Sequence, residues 1–233
     1  MRLLAFETAT QRLSVALWQD GACIERSALL PNGGSQVLLP WMHELLAEAG
    51  LSLQQIDGIA FGAGPGGFTG LRLACGVTQG LAFGLDLPVA PICTLAALAL
   101  DCGQRNVWTC LDARMNEVYV AAYAVDGEVA HEIMAPVCLP PDNAAVLPAP
   151  TFMDAWGAGD GFARYGEILR SRKPDLAGVR ADLSPSAVAV ARLAAPVLAS
   201  GGGGVAAADA QPLYVRNKVA FTTAERLGRG GTK

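Results

Sequence analysis

The sequence predicts an α/β fold made of two related halves. Each half opens with three strand patterns in a row, the signature of a β-meander, within residues 2–29 and again within 107–134. In the first half the meander is followed by alternating helix and strand patterns, which gives the order β-β-β-α-β-α-β-α. The recurring opening predicts an internal duplication, with one domain at residues 1–104 and a second, degenerate one at 105–233 that includes a C-terminal tail.

The first half divides into elements at recognisable signals. The three opening strands are predicted at 2–7, 13–19 and 22–29, with Asp20-Gly21 as a hairpin turn. Ser35 is placed to cap a helix that runs to about residue 49, and Pro40 predicts a kink or a later start for it. A strand at 58–61, a helix at 68–85, a strand at 89–92 and a helix at 94–100 complete the half.

The second half begins in the same way and then weakens. Strands are predicted at 107–111, 117–125 and 129–134, with Asp126-Gly127 as a turn. They are followed by elements in an incomplete order: a Pro/Ala-rich loop at 140–150, a strand at 151–156, helices near 161–169 and 185–198, and a glycine linker at 201–204. We therefore expect the second half to be reduced.

Composition limits the classes of function. The chain is 52% hydrophobic and 16% charged with a mean hydropathy of +0.34, which suggests surface reserved for a partner. It has no apolar run near the ~20 residues of a membrane span, and the first residues meet Glu7 too early for a secretory leader, so we expect a cytoplasmic protein. Six cysteines without a C-x-x-C pair predict buried free thiols rather than disulfides or zinc ligands.

The formal net charge is −4, and the only short basic segment is the tail with Arg226, Arg229 and Lys233. A protein that grips RNA alone usually presents a basic stripe, because phosphate neutralisation supplies most of the affinity. If this chain works on RNA, another protein is expected to hold the RNA.

The most distinctive stretch, residues 61–72, reads FGAGPGGFTGLR between a strand and a helix. Backbone N–H groups in such a turn can approach a phosphate at the helix N-terminus. The stretch lacks the Lys-Ser/Thr of a P-loop and the spacing of a dinucleotide fingerprint. These departures argue against a generic nucleotide site.

The helix at 68–85 carries two stripes of small residues. Gly70, Ala74, Thr78 and Ala82 recur every four residues, and Gly76, Gly80 and Gly84 form a second stripe on another side. Because an interior glycine costs about 1 kcal/mol relative to alanine, a close approach must compensate for it. One stripe is expected on the protein's own sheet and the other against a second helix; the alternative is that both pack between the two halves.

Several motifs together resemble the bacterial TsaB (YeaZ) family. They are LAFETAT at 4–10, SQVLLP at 35–40, GPGGFTGLR at 64–72, LDAR at 111–114 and PLYVR at 212–216, so the resemblance spans nearly the whole chain. Two positions depart from the usual family wording, Glu7 where Asp is common and Gly67 where Ser is common. The duplicated order also matches the actin-like ATPase (ASKHA) architecture to which this family belongs.

The resemblance implies a non-catalytic scaffold for N6-threonylcarbamoyladenosine modification of tRNA. It implies pairing with TsaD through the first two helices, docking of the ATPase TsaE on that pair, ATP or ADP near the shared surface, and tRNA contact only through the complex. For the chain alone, a homodimer and a monomer are both compatible with the resemblance, which implies no cofactor or metal of its own. The pairing residues are predicted to be Leu38, Leu39, Met42, Leu46, Gly70, Leu73, Ala74, Val77, Thr78 and Leu81.

The actin-like architecture implies a second set of residues near a nucleotide. These are Glu7, Thr8, Thr10, Gly64, Gly66, Gly67, Thr69 and Arg72. The alternative for Glu7 and the threonines is that they satisfy backbone groups in the turn after the first strand. The second half favours that alternative, because Asp112-Ala-Arg114 has no glycine pair to wrap a phosphate.

Catalytic residues are not apparent in the sequence. The sister family TsaD presents a His-x-x-x-His metal pair where this chain has Thr94 and Leu98, which cannot replace imidazoles. Its two histidines, His43 and His131, have no partner at ligand spacing, and no Cys-His or Ser-His-Asp arrangement is marked. Two other classes are alternatives: an actin-fold small-molecule kinase, which needs an acid or metal site in both halves, and a metallopeptidase-like (M22) protein, which needs a chelator-sensitive or thiol centre.

Overall fold

The computed structural model describes residues 1–30, 33–144, 152–200 and 202–216. Among these residues, ten strands form two five-stranded mixed sheets, ordered β3-β2-β1-β4-β5 and β8-β7-β6-β9-β10. In each sheet the first three strands are antiparallel, and the last two run parallel to the first. The strands are β1 Arg2–Glu7, β2 Arg12–Gln19, β3 Ala22–Leu29, β4 Gly58–Gly64, β5 Val89–Cys93, β6 Asn106–Arg114, β7 Glu117–Asp126, β8 Val129–Leu139, β9 Trp156–Ala158 and β10 Gly178–Arg180.

The two sheets therefore repeat the same order and the same directions, which confirms the duplication and the actin-like α/β fold. In the described part of the chain, five α-helices accompany them: α1 Gly34–Glu48, α2 Phe68–Leu85, α3 Thr94–Cys102, α4 Asp160–Arg172 and α5 Ala187–Ala199. In the described part of the second half, no α-helix lies between its meander and β9, so the counterpart of α1 is missing there. None of the described helices is both long and apolar enough to cross a membrane.

The hydrophobic core has three parts. α1 and α2 cover one face of the first sheet, where Phe6 and Phe61 are fully buried. α3 and α5 lie between the two sheets and are packed almost entirely by alanine, leucine and valine, so both halves share this central core. The third part lies in the second half around Trp108 and Phe162, whose rings meet edge to face at 5.4 Å.

Some predicted boundaries are wrong. Gly33, in the left-handed region at φ 85°, precedes α1, so Ser35 lies inside the helix and does not cap it, and the helix continues through Pro40 without a later start. The strand predicted at 151–156 begins only at Trp156, where β9 pairs with β6. The basic tail and Thr151 lie outside the described residues. So do part of the predicted glycine linker and most of the Pro/Ala-rich loop.

The end of the described chain returns to the first half. Val205 pairs with Val89 of β5, a short 3₁₀ turn at Ala207–Asp209 packs on α2, and Leu213 bonds to the end of β4. We call residues 205–216 the C-terminal strap.

All six cysteines are free thiols. Cys75, Cys102 and Cys110 are buried, whereas Cys23, Cys93 and Cys138 are half-buried. Burial raises the pKa of the Cys110 thiol well above its ordinary value, and those of the other five are raised for the same reason.

Candidate functional site

Glu7, at the end of β1, is fully buried. Its Oε1 accepts a hydrogen bond from the N–H of Ala9 at 2.7 Å, and its Oε2 accepts one from Thr94 Oγ1 at 3.2 Å. The same Thr94 oxygen accepts the N–H of Gly64 at 3.2 Å. Burial, the largest cause, raises the pKa of Glu7 to about 7. The carboxyl thus satisfies backbone groups in the turn after β1, which is the alternative to a nucleotide contact given above. It offers no exposed oxygen to a ligand.

The glycine turn is packed against the chain's own backbone. Gly64 has φ 116°, and a β-carbon there would lie 2.9 Å from the carbonyl oxygen of Leu213. A β-carbon at Gly70 would lie 1.9 Å from the carbonyl oxygen of Thr8. The same turn is tied to the first strand by the N–H of Gly67, which donates to the carbonyl of Ala9 at 2.7 Å. Close approach inside the fold therefore accounts for these glycines without a bound phosphate.

A cleft of about 560 Å³ lies between the two halves. One wall is formed by the turn after β1, the start of α1 and the start of α2, and the other by the end of β6, Tyr119 and Asp160. Of the predicted nucleotide-proximal residues, five line it: Thr8, Thr10, Gly66, Gly67 and Thr69. Glu7 and Gly64 are buried behind it, and Arg72 stacks on the ring of Phe68 at 3.6 Å.

The second wall of the cleft is charged but internally paired. The Asp112 carboxylate, 6% exposed, binds Arg164 at 2.9 Å and Arg114 at 3.1 Å. Asp160 accepts the N–H of Asp112 at 2.8 Å, and burial raises the pKa of this aspartate. Both arginines are thus engaged with a carboxylate that belongs to the same wall.

Sequence reasoning missed a second glycine turn. Residues 157–162, GAGDGF, leave β9 and open α4 just as residues 62–68, GAGPGGF, leave β4 and open α2. Each turn packs on its half's first strand, since a β-carbon at Gly161 would lie 2.3 Å from Cys110 Sγ. The GAG-x-G motif that both halves share is the signal from which this second turn could have been predicted. The second half therefore does have a glycine turn, which follows β9 and is distinct from Asp112-Ala-Arg114 at the end of β6.

The two small-residue stripes of α2 face opposite ways. Ala74, Thr78 and Ala82 are buried against the protein's own sheet, whereas Gly76, Gly80 and Gly84 are exposed, with nothing within 4 Å of a β-carbon at any of the three. Phe83 lies beside them and is 81% exposed. We call Gly76, Gly80, Phe83 and Gly84 the glycine face. It leaves room for another element to approach the helix backbone.

Half of the predicted pairing residues are core residues. Leu38, Met42 and Leu46 of α1 are 4% exposed or less, and Ala74 and Thr78 of α2 are fully buried. Their expected exposure is wrong, because the apolar stripe of each helix packs on the first sheet. The other predicted residues lie at or near the surface: Leu39 is 42% exposed, and Gly70, Leu73, Val77 and Leu81 are half-buried.

The positions of the sister family's histidines are both interior. Thr94 bonds Glu7, and Leu98, which is fully buried, lies 2.8 Å from where a β-carbon of Gly159 would be. His43 and His131 are exposed. Within residues 1–30, 33–144, 152–200 and 202–216, no three His, Cys, Asp or Glu side chains converge as metal ligands would.

Comparisons with known proteins match this chain to two families, TsaD and TsaB. A family model described as TsaD, tRNA N6-adenosine threonylcarbamoyltransferase, matches residues 34–210. The chain is 34% identical to the tRNA threonylcarbamoyladenosine biosynthesis protein TsaB of Escherichia coli (strain K12), covering 95% of this chain and 97% of that one.

Two solved structures from Pseudomonas aeruginosa are also similar. One, an uncharacterised protein described as similar to the peptidase YEAZ, has 40% identity and a TM-score of 0.85 over 92% of this chain and 99% of that one. The other, YeaZ, has 38% identity and a TM-score of 0.83 over 91% of this chain and 99% of that one.

Proposed function

The chain belongs to the TsaB family, and from that membership we propose that it is a non-catalytic subunit for N6-threonylcarbamoyladenosine modification of tRNA. In this proposal it pairs with a TsaD protein, which carries out the transfer, and the ATPase TsaE docks on the pair. The observation that carries the proposal is the glycine face of α2, where an aromatic side chain stands almost fully exposed beside open helix backbone.

The shape of the glycine face suits a helix. Three glycines spaced by four residues would let another helix axis come close, and Phe83 would supply a large apolar contact. Interior glycines lower helix stability by about 1 kcal/mol each relative to alanine. Packing of another helix against these glycines would offset that loss of stability. Leu73 and Val77, half-buried on the side of α2 nearer the start of α1, extend the apolar surface.

A partner of the TsaD kind fits this surface because it shares the fold. One family model describes that enzyme and also fits this chain, so both proteins are expected to have equivalent helices. Two related surfaces can then meet about a pseudo-twofold axis, as in isologous dimers. The same reasoning predicts a homodimer of this chain when the partner is missing. A stable interface should bury about 1,200–2,000 Å² in total.

The chemistry of the chain supports an accessory role. Thr94 and Leu98 hold positions at which the resemblance places the enzyme's imidazoles, and neither side chain can ligate a metal in their place. Glu7 is buried, and Arg114 of the cleft is paired with Asp112, which also binds Arg164. ATP or ADP is accordingly assigned to the surface shared with the partners, and tRNA, given the net charge of −4, to the complex.

The pairing test uses variants of the exposed residues. Phe83→Glu removes the apolar contact and Gly80→Trp fills the open space, and neither change touches the core. Each should weaken co-purification with TsaD at least tenfold, with an unchanged circular dichroism spectrum. Met153→Glu is the matched control, because Met153 is 56% exposed in the other half. Full retention of TsaD by both α2 variants would reject this surface.

The functional test is reconstitution of tRNA modification. Purified TsaD, TsaE, tRNA and the precursor enzymes should yield N6-threonylcarbamoyladenosine only when this chain is added. Modification at the same rate without it would reject the accessory role, and metal- or ATP-dependent turnover by the chain alone would reject its non-catalytic nature.

A further inference from the structure

The motif at 212–216, PLYVR, ends the C-terminal strap, and the proposed pairing leaves it without a role. Most of the strap is fixed on the first half. Val205 and Val89 exchange two backbone hydrogen bonds of 2.8 and 2.9 Å, and the N–H of Leu213 donates to the carbonyl of Ala63 at 2.7 Å. Between them, the carbonyl of Ala210 accepts Gln79 Nε2 of α2 at 2.9 Å.

The last described residue of the strap reaches the second half. Arg216 Nη2 donates to the carbonyl of Arg114 at 3.2 Å and to the carboxylate of Glu117. Its guanidinium also lies 5.9 Å from the centre of the Tyr119 ring. All three partners belong to the β6–β7 hairpin, and the Arg216 side chain is only 14% exposed. The strap is therefore anchored on both halves.

The two anchors lie on opposite walls of the cleft between the halves. Arg114 and Tyr119 line one wall, and Phe68, whose ring lies 5.7 Å from that of Tyr214, lines the other. Tyr214 is fastened further by its hydroxyl, which accepts Arg72 Nε at 3.2 Å. We infer that the C-terminal strap is a latch that holds the two cleft walls together, with Arg216 as the residue that fastens it to the second half.

The fastening depends on one side chain. Hydrogen bonds between a guanidinium and a carboxylate are about twice as strong as neutral ones. This pair is partly shielded from water, since the side chains of Arg216 and Glu117 are 14% and 34% exposed. The hairpin that receives Arg216 has three successive left-handed residues, Arg114, Met115 and Asn116, at φ 61°, 57° and 60°. Its tip therefore carries a conformation that is unfavourable for non-glycine residues, and outside contacts stabilise it. Loss of Arg216 would free this wall while the first-half anchors and the α3–α5 core remain.

Hydrogen exchange measured by mass spectrometry on the full-length chain tests the latch. Arg216→Ala should speed amide exchange at least tenfold in peptides covering 111–118 and 8–13, one from each wall. Peptides from α3 and α5 should be unchanged. Glu117→Gln, which weakens the same contact from the other side, should give the same pattern. Arg192→Ala is the matched control, since Arg192 holds Glu128 in another arginine–carboxylate pair of the second half, at 2.8 Å, and does not touch the strap.

Three results would overturn the inference. The first is faster exchange confined to 212–216, which would make the contact merely local. The second is a uniform increase over the whole chain, which would make Arg216 a general stability residue. The third is an equal change at the cleft walls in the Arg192→Ala control.

Discussion

Thr94 donates its hydroxyl to Glu7 in the fully buried centre of the first half, at 3.2 Å from Oε2. Thr94 lies at the position where the resemblance places a metal-binding histidine. Glu7 lies at the position of the acid that ends the first strand in actin-like ATPases. Joined to each other, and through Thr94 to Gly64 of the glycine turn, they stabilise the fold instead of presenting ligands.

Stability should fall as the pH rises, in part because of Glu7. Burial raises its pKa from 4.5 to about 7, so between these values the unfolded chain releases a proton that the folded chain keeps. The free energy of unfolding therefore falls over that window and levels off above pH 7. Glu7→Gln removes this component, and it should be more stable than the wild type at pH 8, by on the order of 2–3 kcal/mol, but not at pH 4.

Urea unfolding at the two pH values measures the effect. A smaller slope should remain in the variant, because burial also raises the pKa of Asp101 to about 6. Glu48→Gln, at an exposed carboxylate, is the control and should leave the slope unchanged. An unaltered pH dependence in Glu7→Gln would contradict the assignment of this proton.

The sequence predicted the periodicity of α1 and α2 better than their orientation. Spacing by four marks a stripe, but both stripes of α2 consist of small residues, and only the packing on the sheet distinguishes buried Ala74 from exposed Gly76. In α1, Leu38 and Leu39 are the same residue type, yet Leu38 is buried and Leu39 is 42% exposed. Whether a helix residue is buried or exposed depends on contacts between segments that are distant in the chain. A local sequence pattern does not contain those contacts.

The second half was harder to predict for a different reason. β9 and β10 span only three residues each, too few for an alternating pattern to show. β9 takes its place in the sheet by pairing with β6, far away in the chain, and β10 takes its place by pairing with β9. Without a recognisable strand before it, the glycine turn that opens α4 could not be placed from the local pattern. Its residues nevertheless repeat the sequence of the turn in the first half.

Two glycine-to-alanine changes in α2 should have opposite effects. In Gly70→Ala the new β-carbon meets the Thr8 carbonyl oxygen at 1.9 Å, and since backbone cannot move aside easily, the variant should lose about 2 kcal/mol or more. In Gly80→Ala nothing lies within 4 Å, and the higher helix propensity of alanine should add about 1 kcal/mol. Thermal unfolding of both variants compares them directly, and a stabilised Gly70→Ala would refute the close approach.

Removing a buried hydroxyl from α2 should also stabilise the chain. Thr78 Oγ1 is buried and has no hydrogen-bond partner among the described residues. Valine has almost the same shape without the polar atom, so Thr78→Val avoids the desolvation cost and should gain about 1 kcal/mol. Thr94→Val is the contrasting variant, because it removes two hydrogen bonds and should destabilise. Denaturant midpoints give both values, and a loss in Thr78→Val would show that its hydroxyl is satisfied.

Restoring the sister family's histidines should not restore a metal site. In Thr94→His/Leu98→His the first imidazole enters a space filled by Glu7 and Gly64, and the second one a fully buried position against Gly159. Both rings are larger and more polar than the interior allows, so the double variant should be destabilised by several kcal/mol. Calorimetric titration with zinc, manganese or ferrous iron should detect no tight binding by the folded protein. Stoichiometric binding with a raised melting temperature would show that only the two imidazoles separate this fold from a metal-binding one.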